Sequence, residues 1–242
     1  MKITIAKSES EFDAVAAWRI IEEMLIRQKA VIGLATGQTT INMHRIVGEI
    51  YRKYPFDVSG ITLFGVDEIM NVSRDYFGSC YNRLKTQIVD VLGIKASNFL
   101  MPPTQSDDLE RECKQFETGI ETRGGVDLQI LGLGKNGHIG FNQPGALFES
   151  TTWISYMDEE TEIRIRRESN TPPEQELRGL TLGIKSIMQS RKIILAAKGL
   201  HKAEIVHKML LGPVTTSVPA SVLQLHPNCE FLLDTDAARY IV

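Results

Sequence analysis

The segment 131–144, LGLGKNGHIGFNQP, sets one histidine, His138, among Gly134, Gly137 and Gly140, with Asn136, Asn142 and Gln143 close by. Glycine lets a backbone approach a ligand and adopt positive φ. A histidine held in such a loop can move a proton near neutral pH. A glycine-rich turn with an ordinary surface histidine would look the same locally, so other segments must bear on the choice. One is ATGQTT at 35–40, in which Thr36, Gly37, Gln38 and Thr39 join an apolar run to a helical pattern. Backbone N–H groups at a helix N-terminus favour an anion, and hydroxyls can supplement them. The chain has no Gly-Lys-Ser/Thr, which points to a phosphate monoester rather than a nucleoside triphosphate.

Asp67 and Glu68 close the apolar run ITLFGV. A carboxylate at a strand's carboxyl end can serve as a general base. Successive strand side chains point to opposite faces, so one of the two enters a site, and Asp67, first after the run, is the choice. Lys202 follows a strand-like run and Gly199. Arg164, Arg166 and Arg167 lie on a charged helical segment. Such groups can clamp phosphate, although for Arg164 a solvated helix face is the simpler reading.

These groups need elements to position them. Apolar runs at Val31–Ala35, Ile61–Val66, Val126–Leu133 and Lys192–Ala197 read as buried strands, with Thr152–Met157 as an edge strand and Cys229–Leu233 as a short last one. Helical spacing appears after a capping pair, Ser8 and Glu11, and again around Met43–Ile50. It recurs over Phe77–Leu92, Leu109–Ile120, Glu159–Glu168 and His201–Leu211. Gly124 and Gly125 stop the fourth of these stretches, and Asn170–Glu174 is a loop. Strand–helix alternation with continuous apolar strands predicts an α/β fold, a mostly parallel sheet with helices on both faces. Nothing reads as a linker, so residues 1–242 are expected to form one domain. Thr36–Thr40, Asp67–Ser73, Gly134–Pro144 and Lys198–Lys202 all follow strands. Ligands of open α/β sheets sit beyond the carboxyl ends of strands, so the four segments are expected to share one site.

Composition limits the partners. The chain's 27 basic and 30 acidic side chains give a net charge of −3, with no basic excess for nucleic acid or an anionic membrane. The N-terminus lacks a signal-peptide pattern, and no apolar run reaches roughly 18 residues, so a cytoplasmic protein is expected. Cys80, Cys113 and Cys229 are far apart and lack metal-ligand spacing, which favours buried thiols.

Taken together, the chain resembles the glucosamine-6-phosphate deaminase (isomerase) family, with the related galactosamine-6-phosphate isomerases. The resemblance covers about residues 3–235. It is carried by LATGQT at 34–39, GVDEI at 65–69, LGLGKNGHIGFNQPG at 131–145, GLTLG at 179–183, GLHKA at 199–203 and PASVLQLHP at 219–227. The related 6-phosphogluconolactonases carry a different pattern around their histidine. The resemblance implies a modified Rossmann-like sheet and a reaction needing no redox cofactor or metal. An amino sugar 6-phosphate and water give a ketose 6-phosphate and ammonia. It implies that Asp67 shuttles a proton between C2 and C1, and that His138 opens the sugar ring in company with Asn136 and the residue at 143. It implies phosphate binding by Thr36, Gly37, Gln38, Thr39, Gly137, Lys202 and either Arg167 or its neighbour Arg166.

Two positions depart from the better-known pattern. Asn136 stands where many members have an aspartate, although smaller bacterial members also carry asparagine there. The family normally has glutamate where this chain has Gln143. An amide supplies no charge to hold an imidazolium, so His138 is expected to favour its neutral state. Ring opening would slow by ~10-fold to ~10³-fold, and an open-chain substrate would suffer less. A sugar phosphate-binding protein with lost catalysis, or a 6-phosphogluconolactonase, are the alternative functions. Ala146, Leu147 and Trp153 do not suit the allosteric site of the larger family members. The short chain favours a monomer over a homo-oligomer.

Overall fold

The protein, analysed as a computed structural model, is described over residues 1–73 and 75–241. Ten strands run β1 (Lys2–Ala6), β2 (Val31–Leu34), β3 (Thr62–Gly65), β4 (Asp67–Met70), β5 (Phe99–Leu100), β6 (Leu128–Gly132), β7 (Trp153–Ser155), β8 (Arg178–Thr181), β9 (Lys192–Ala197) and β10 (Cys229–Asp234). The helices are α1 (Glu9–Ile26), α2 (Ile41–Lys53), α3 (Cys80–Leu84), α4 (Asp90–Leu92), α5 (Leu109–Glu121), α6 (Glu159–Ser169), α7 (Ile184–Met188) and α8 (Ala203–Leu211).

Seven strands form an all-parallel sheet in the order β1-β10-β9-β6-β2-β3-β5. Strand alternation divides its side chains between two cores. Ile193, Leu195, Phe231 and Leu233 pack on one face with Cys113, Phe116 and Ile120 of α5 and Val206 and Met209 of α8. Ile194, Ala196 and Leu232 pack on the other with Phe12, Ile20 and Met24 of α1 and Met43 and Val47 of α2. Both faces are covered, which is why these strands are apolar throughout.

A second sheet, antiparallel β4-β8-β7, was not expected from the sequence, although its edge strand β7 falls within the edge strand read at Thr152–Met157. It corrects the expectation that Asp67–Ser73 is a loop. Only Val66 separates β3 from β4, and the chain changes sheets there: Val66 N–H donates to Leu34 O and its carbonyl accepts from Leu182 N. The Phe77–Leu92 stripe is also corrected. Phe77 is exposed and outside any helix, and a π-helical turn, Lys85–Val89, separates α3 from α4. The Ser8 cap holds as expected, its hydroxyl accepting from Glu11 N at 3.1 Å.

Candidate active site

The four strands that precede the polar segments, β9, β6, β2 and β3, are consecutive neighbours in the sheet. Because they are parallel, Lys202, the His138 loop, Thr36 and Asp67 leave from one edge. After β2 the chain moves to β3 and β5 on one side, then returns to β6 on the other. That reversal marks where open α/β sheets hold ligands.

Contacts join the segments. Thr36 Oγ1 donates to Cys80 Sγ at 3.1 Å, and the Cys80 thiol donates to Asp67 Oδ1 at 3.4 Å. Asp67 pairs across the small sheet with Thr181, whose hydroxyl accepts from Phe141 N, in the His138 loop, at 3.1 Å. Gly140, at φ +57, brings that loop close: a Cβ there would lie 2.7 Å from Thr181 Oγ1 and 3.5 Å from Asp67 Oδ2. Lys202 Nζ reaches Leu133 O, at the start of the same loop, at 2.6 Å. Asn142, fully buried, ties the loop to the small sheet by donating to Leu182 O and accepting from Trp153 Nε1, each at 2.9 Å.

The adjacent acids have different surroundings. Glu68 is buried and accepts from the backbone N–H groups of Ile69 at 2.7 Å, Cys80 at 2.9 Å and Tyr81 at 2.8 Å. Burial pushes its carboxyl up to about 7 against the pull of those bonds. Asp67 lies on the opposite face, where burial pushes it up to about 6 and the Cys80 thiol opposes the shift. That value suits a base working near neutrality.

The His138 ring lies directly over Gly134, where any Cβ would collide with the imidazole. Burial lowers its basicity; Lys202 lowers it further, while Asp158 at the cap of α6 works the other way. Asn136 and Gln143 pair with each other: Asn136 Nδ2 donates to Gln143 Oε1 at 2.9 Å, and Asn136 Oδ1 accepts from His138 N at 3.1 Å. Gly137, at φ +88, packs on Val218, and its carbonyl accepts from Ala220 N.

At the start of α2, the Thr40 hydroxyl turns back to the carbonyls of Ala35 and Gly37. The first turn of α2 is left without a side-chain cap. Gly37 and Gln38 are exposed and Thr36 and Thr39 half-buried. Gln38 lines a cleft of about 610 Å³ with Arg83, whose guanidinium reaches Thr36 O; neither Asp67 nor His138 lines it. Arg166 is committed to Glu162 and to the carbonyls of Pro172 and Gln175. Arg167 is exposed, and among the described residues no contact joins it to the other site groups. Cys80 and Thr181 are additions to the candidate site residues read from the sequence, and Gly134 gains a specific role under the His138 ring. Cys80 appeared there as a buried thiol, which it is, and nothing local revealed its position beside Asp67. Among the described residues, no three His, Cys, Asp or Glu side chains form a metal cluster, and no helix is long and apolar enough to cross a membrane.

Comparison with known proteins identifies the family and the fold. Residues 9–231 match the family described as glucosamine-6-phosphate isomerases/6-phosphogluconolactonase. The chain belongs to this family. Within it, the chain is similar to a glucosamine-6-phosphate deaminase of Clostridium acetobutylicum, 37% identical with 100% of each chain covered. A Clostridium botulinum (strain Kyoto / Type A2) protein of the same name is 37% identical over 98% of each. A solved structure of a monomeric glucosamine-6-phosphate deaminase of the NagB superfamily superposes with a TM-score of 0.92, at 33% identity and 99% coverage of both. A 6-phosphogluconolactonase from Trypanosoma brucei reaches a TM-score of 0.76 at 19% identity, covering 100% of this chain and 98% of its own, a likeness of fold alone. The family's α/β fold, with a mostly parallel sheet, is the one expected from the sequence.

Proposed function

We propose that this protein is a glucosamine-6-phosphate deaminase, an enzyme that converts an amino sugar 6-phosphate and water to a ketose 6-phosphate and ammonia. The observation that carries the reading is the meeting of Asp67 with the His138 loop at Gly140. A buried carboxylate with a raised pKa is a base for the proton on C2. Asp67 takes that proton and returns it to C1; the enolamine formed between the two transfers becomes an imine, which water cleaves to ketone and ammonia. His138, beside it on the loop, addresses the oxygens at C1 and C5, with Asn136 and Gln143 behind it. The uncapped N-terminus of α2, with Thr36, Gly37, Gln38 and Thr39, receives the phosphate. Lys202 joins it by turning from Leu133 O, and Gly137 and Arg167 complete the set, since Arg166 is already occupied.

Residues 1–242 act as one domain, as a monomer in the cytoplasm; the monomeric solved relative supports the oligomeric state. The test is ammonia release from glucosamine and galactosamine 6-phosphates by the wild-type chain and by Asp67→Asn. Turnover of the first substrate that the variant loses is expected. Equal rates for the two proteins would remove Asp67 from the reaction, and saturable binding without any ammonia would identify a binding protein instead.

A further inference from the structure

Arg83 approaches the Thr36–Thr39 segment from α3, an element that the sequence reading did not connect with it. It lies one turn after Cys80, and residues three apart share a helix face. At one end of that face the Cys80 sulfur accepts from Thr36 Oγ1 at 3.1 Å, and its thiol donates to Asp67 Oδ1 at 3.4 Å. At the other end Arg83 Nη1 donates to the carbonyl of the same Thr36 at 3.4 Å. Asp67 and the guanidinium are thus tied to one another through α3 and Thr36. The Arg83 bond is long and uses one donor of a group that carries several. Arg83 is half-buried, and among the described residues no carboxylate pairs with it. Arg164 and Arg166 differ, being held by Glu168 and Glu162. A guanidinium partly removed from water without an anion is a poor structural element and a ready receptor for an anion from outside.

We propose that Arg83 is a phosphate ligand, and that the ester phosphate of the substrate seats in the cleft of about 610 Å³ lined by Gln38, Ile41 and Arg83. That the phosphate belongs to a substrate rests on the deaminase reading. The planar guanidinium fork matches two oxygens of a phosphate, a fit that an ammonium cannot give. Ile41 is the first residue of α2, so the guanidinium adds its charge to the positive end of that helix. Thr86 and Gln87 line the same cleft from the π turn that follows α3, a kind of turn that recurs at functional sites. Asp75 lines it too, but it is exposed and forms no ion pair among the described residues. It weakens the field of Arg83 without occupying the guanidinium. Neither Asp67 nor His138 lines the cleft, which suits a hexose 6-phosphate, whose phosphate is at the far end of the carbon chain from C2. The sugar then lies across Thr36 and Cys80, with its phosphate against Arg83 and C2 against Asp67.

One arm of the test needs no turnover. Full-length protein labelled with ¹⁵N-arginine is titrated with inorganic phosphate, and the Arg83 Nε–H signal is assigned by its loss in Arg83→Lys. A saturable shift of that signal in wild type is expected; a signal that stays in place throughout the titration overturns the proposal. The other arm is ammonia release from glucosamine 6-phosphate. Arg83→Met should raise KM, and the inhibition constant for inorganic phosphate with it, by roughly 10-fold to 10²-fold, with a smaller change in kcat. Arg83→Lys keeps the charge but loses the fork, and should fall between that variant and wild type. It also serves if the methionine variant fails to fold. A lower kcat with KM and phosphate inhibition unchanged would make Arg83 a support of the fold or of Asp67, and overturns the phosphate role. If wild type releases no ammonia, the deaminase reading fails and the titration still decides Arg83. If wild type turns over and both variants keep its KM, the phosphate role fails alone.

Discussion

The thiol of Cys80 donates to Oδ1 of Asp67 across 3.4 Å while its sulfur accepts from Thr36. This links the turn before α2 to Asp67. The thiol is itself held protonated, because burial and the neighbouring acids push its pKa well above the ordinary range. Cys80→Ala removes a donor that favours the ionised carboxylate. The acid limb of kcat/KM against pH, expected near 6 in the wild type, should move to higher pH. Cys80→Ser keeps a donor and should hold the limb near its place. An unmoved limb in the alanine variant would show that the thiol does not govern Asp67.

Asp67→Asn should reduce kcat/KM by about 10²–10⁴-fold and at the same time stabilise the fold at neutral pH. The folded chain holds the Asp67 proton up to about pH 6, the unfolded chain only to about 3.8. The folded state therefore binds more protons between those values, and stability falls as pH rises through them. The gain at pH 7 is about 3 kcal/mol at most, and it should vanish below about pH 4, where both states are protonated. Urea denaturation at the two pH values measures it; a variant weaker than wild type at pH 7 would contradict the burial argument.

Glu68 is a structural acid, and its three backbone partners predict a different phenotype from that of Asp67. Glu68→Ala removes the acceptor of three backbone N–H groups, two of them buried, and should destabilise the chain by about 3–5 kcal/mol, read as a lowered denaturation midpoint. Glu68→Gln can keep two of the three through its oxygen and should lose roughly half as much. A midpoint equal to wild type in the alanine variant would refute the role.

Gly134→Ala would drive a methyl group into the imidazole of His138. The ring must move by about 1 Å, a displacement worth on the order of 10²-fold in activity. The expected signature is a lower kcat with altered His138 ring resonances and a fold intact by circular dichroism. Full activity would place the working position of His138 elsewhere.

Lys202→Met should weaken phosphate binding through one lost charge-assisted contact, raising KM by roughly 10-fold to 10²-fold with a smaller change in kcat. Inorganic phosphate should likewise inhibit the variant less. A change in kcat alone would assign Lys202 to the reaction rather than to the phosphate.

The five central strands of the main sheet were legible because they are buried on both faces and so are largely apolar, and the range Lys192–Ala197 is the same in sequence and structure; the edge strands β1 and β5 are only partly buried and went unread. The small sheet was not, because β4 (DEIM) and β8 (RGLT) are four residues each, begin with charged side chains and pair across more than a hundred residues of chain. Phe77–Leu92 misled for a related reason: a π turn preserves an apolar stripe while shifting its phase. For the site, the alternation of Asp67 and Glu68 followed from strand geometry. The thiol beside Asp67 and the hydroxyl of Thr181 come from tertiary contacts that leave no local mark.

Val66 is the lone residue between two sheets, and this makes the chain intolerant of any change in length at that point. Adding or deleting one residue between β3 and β4 would turn each side chain of β4 to the other side. Glu68 would face Gly140, and Asp67 would be offered to amides that its shorter arm cannot reach. An indel that a surface loop would absorb would thus exchange the carboxylate that meets the His138 loop for the one that braces backbone amides, with every amino acid still present.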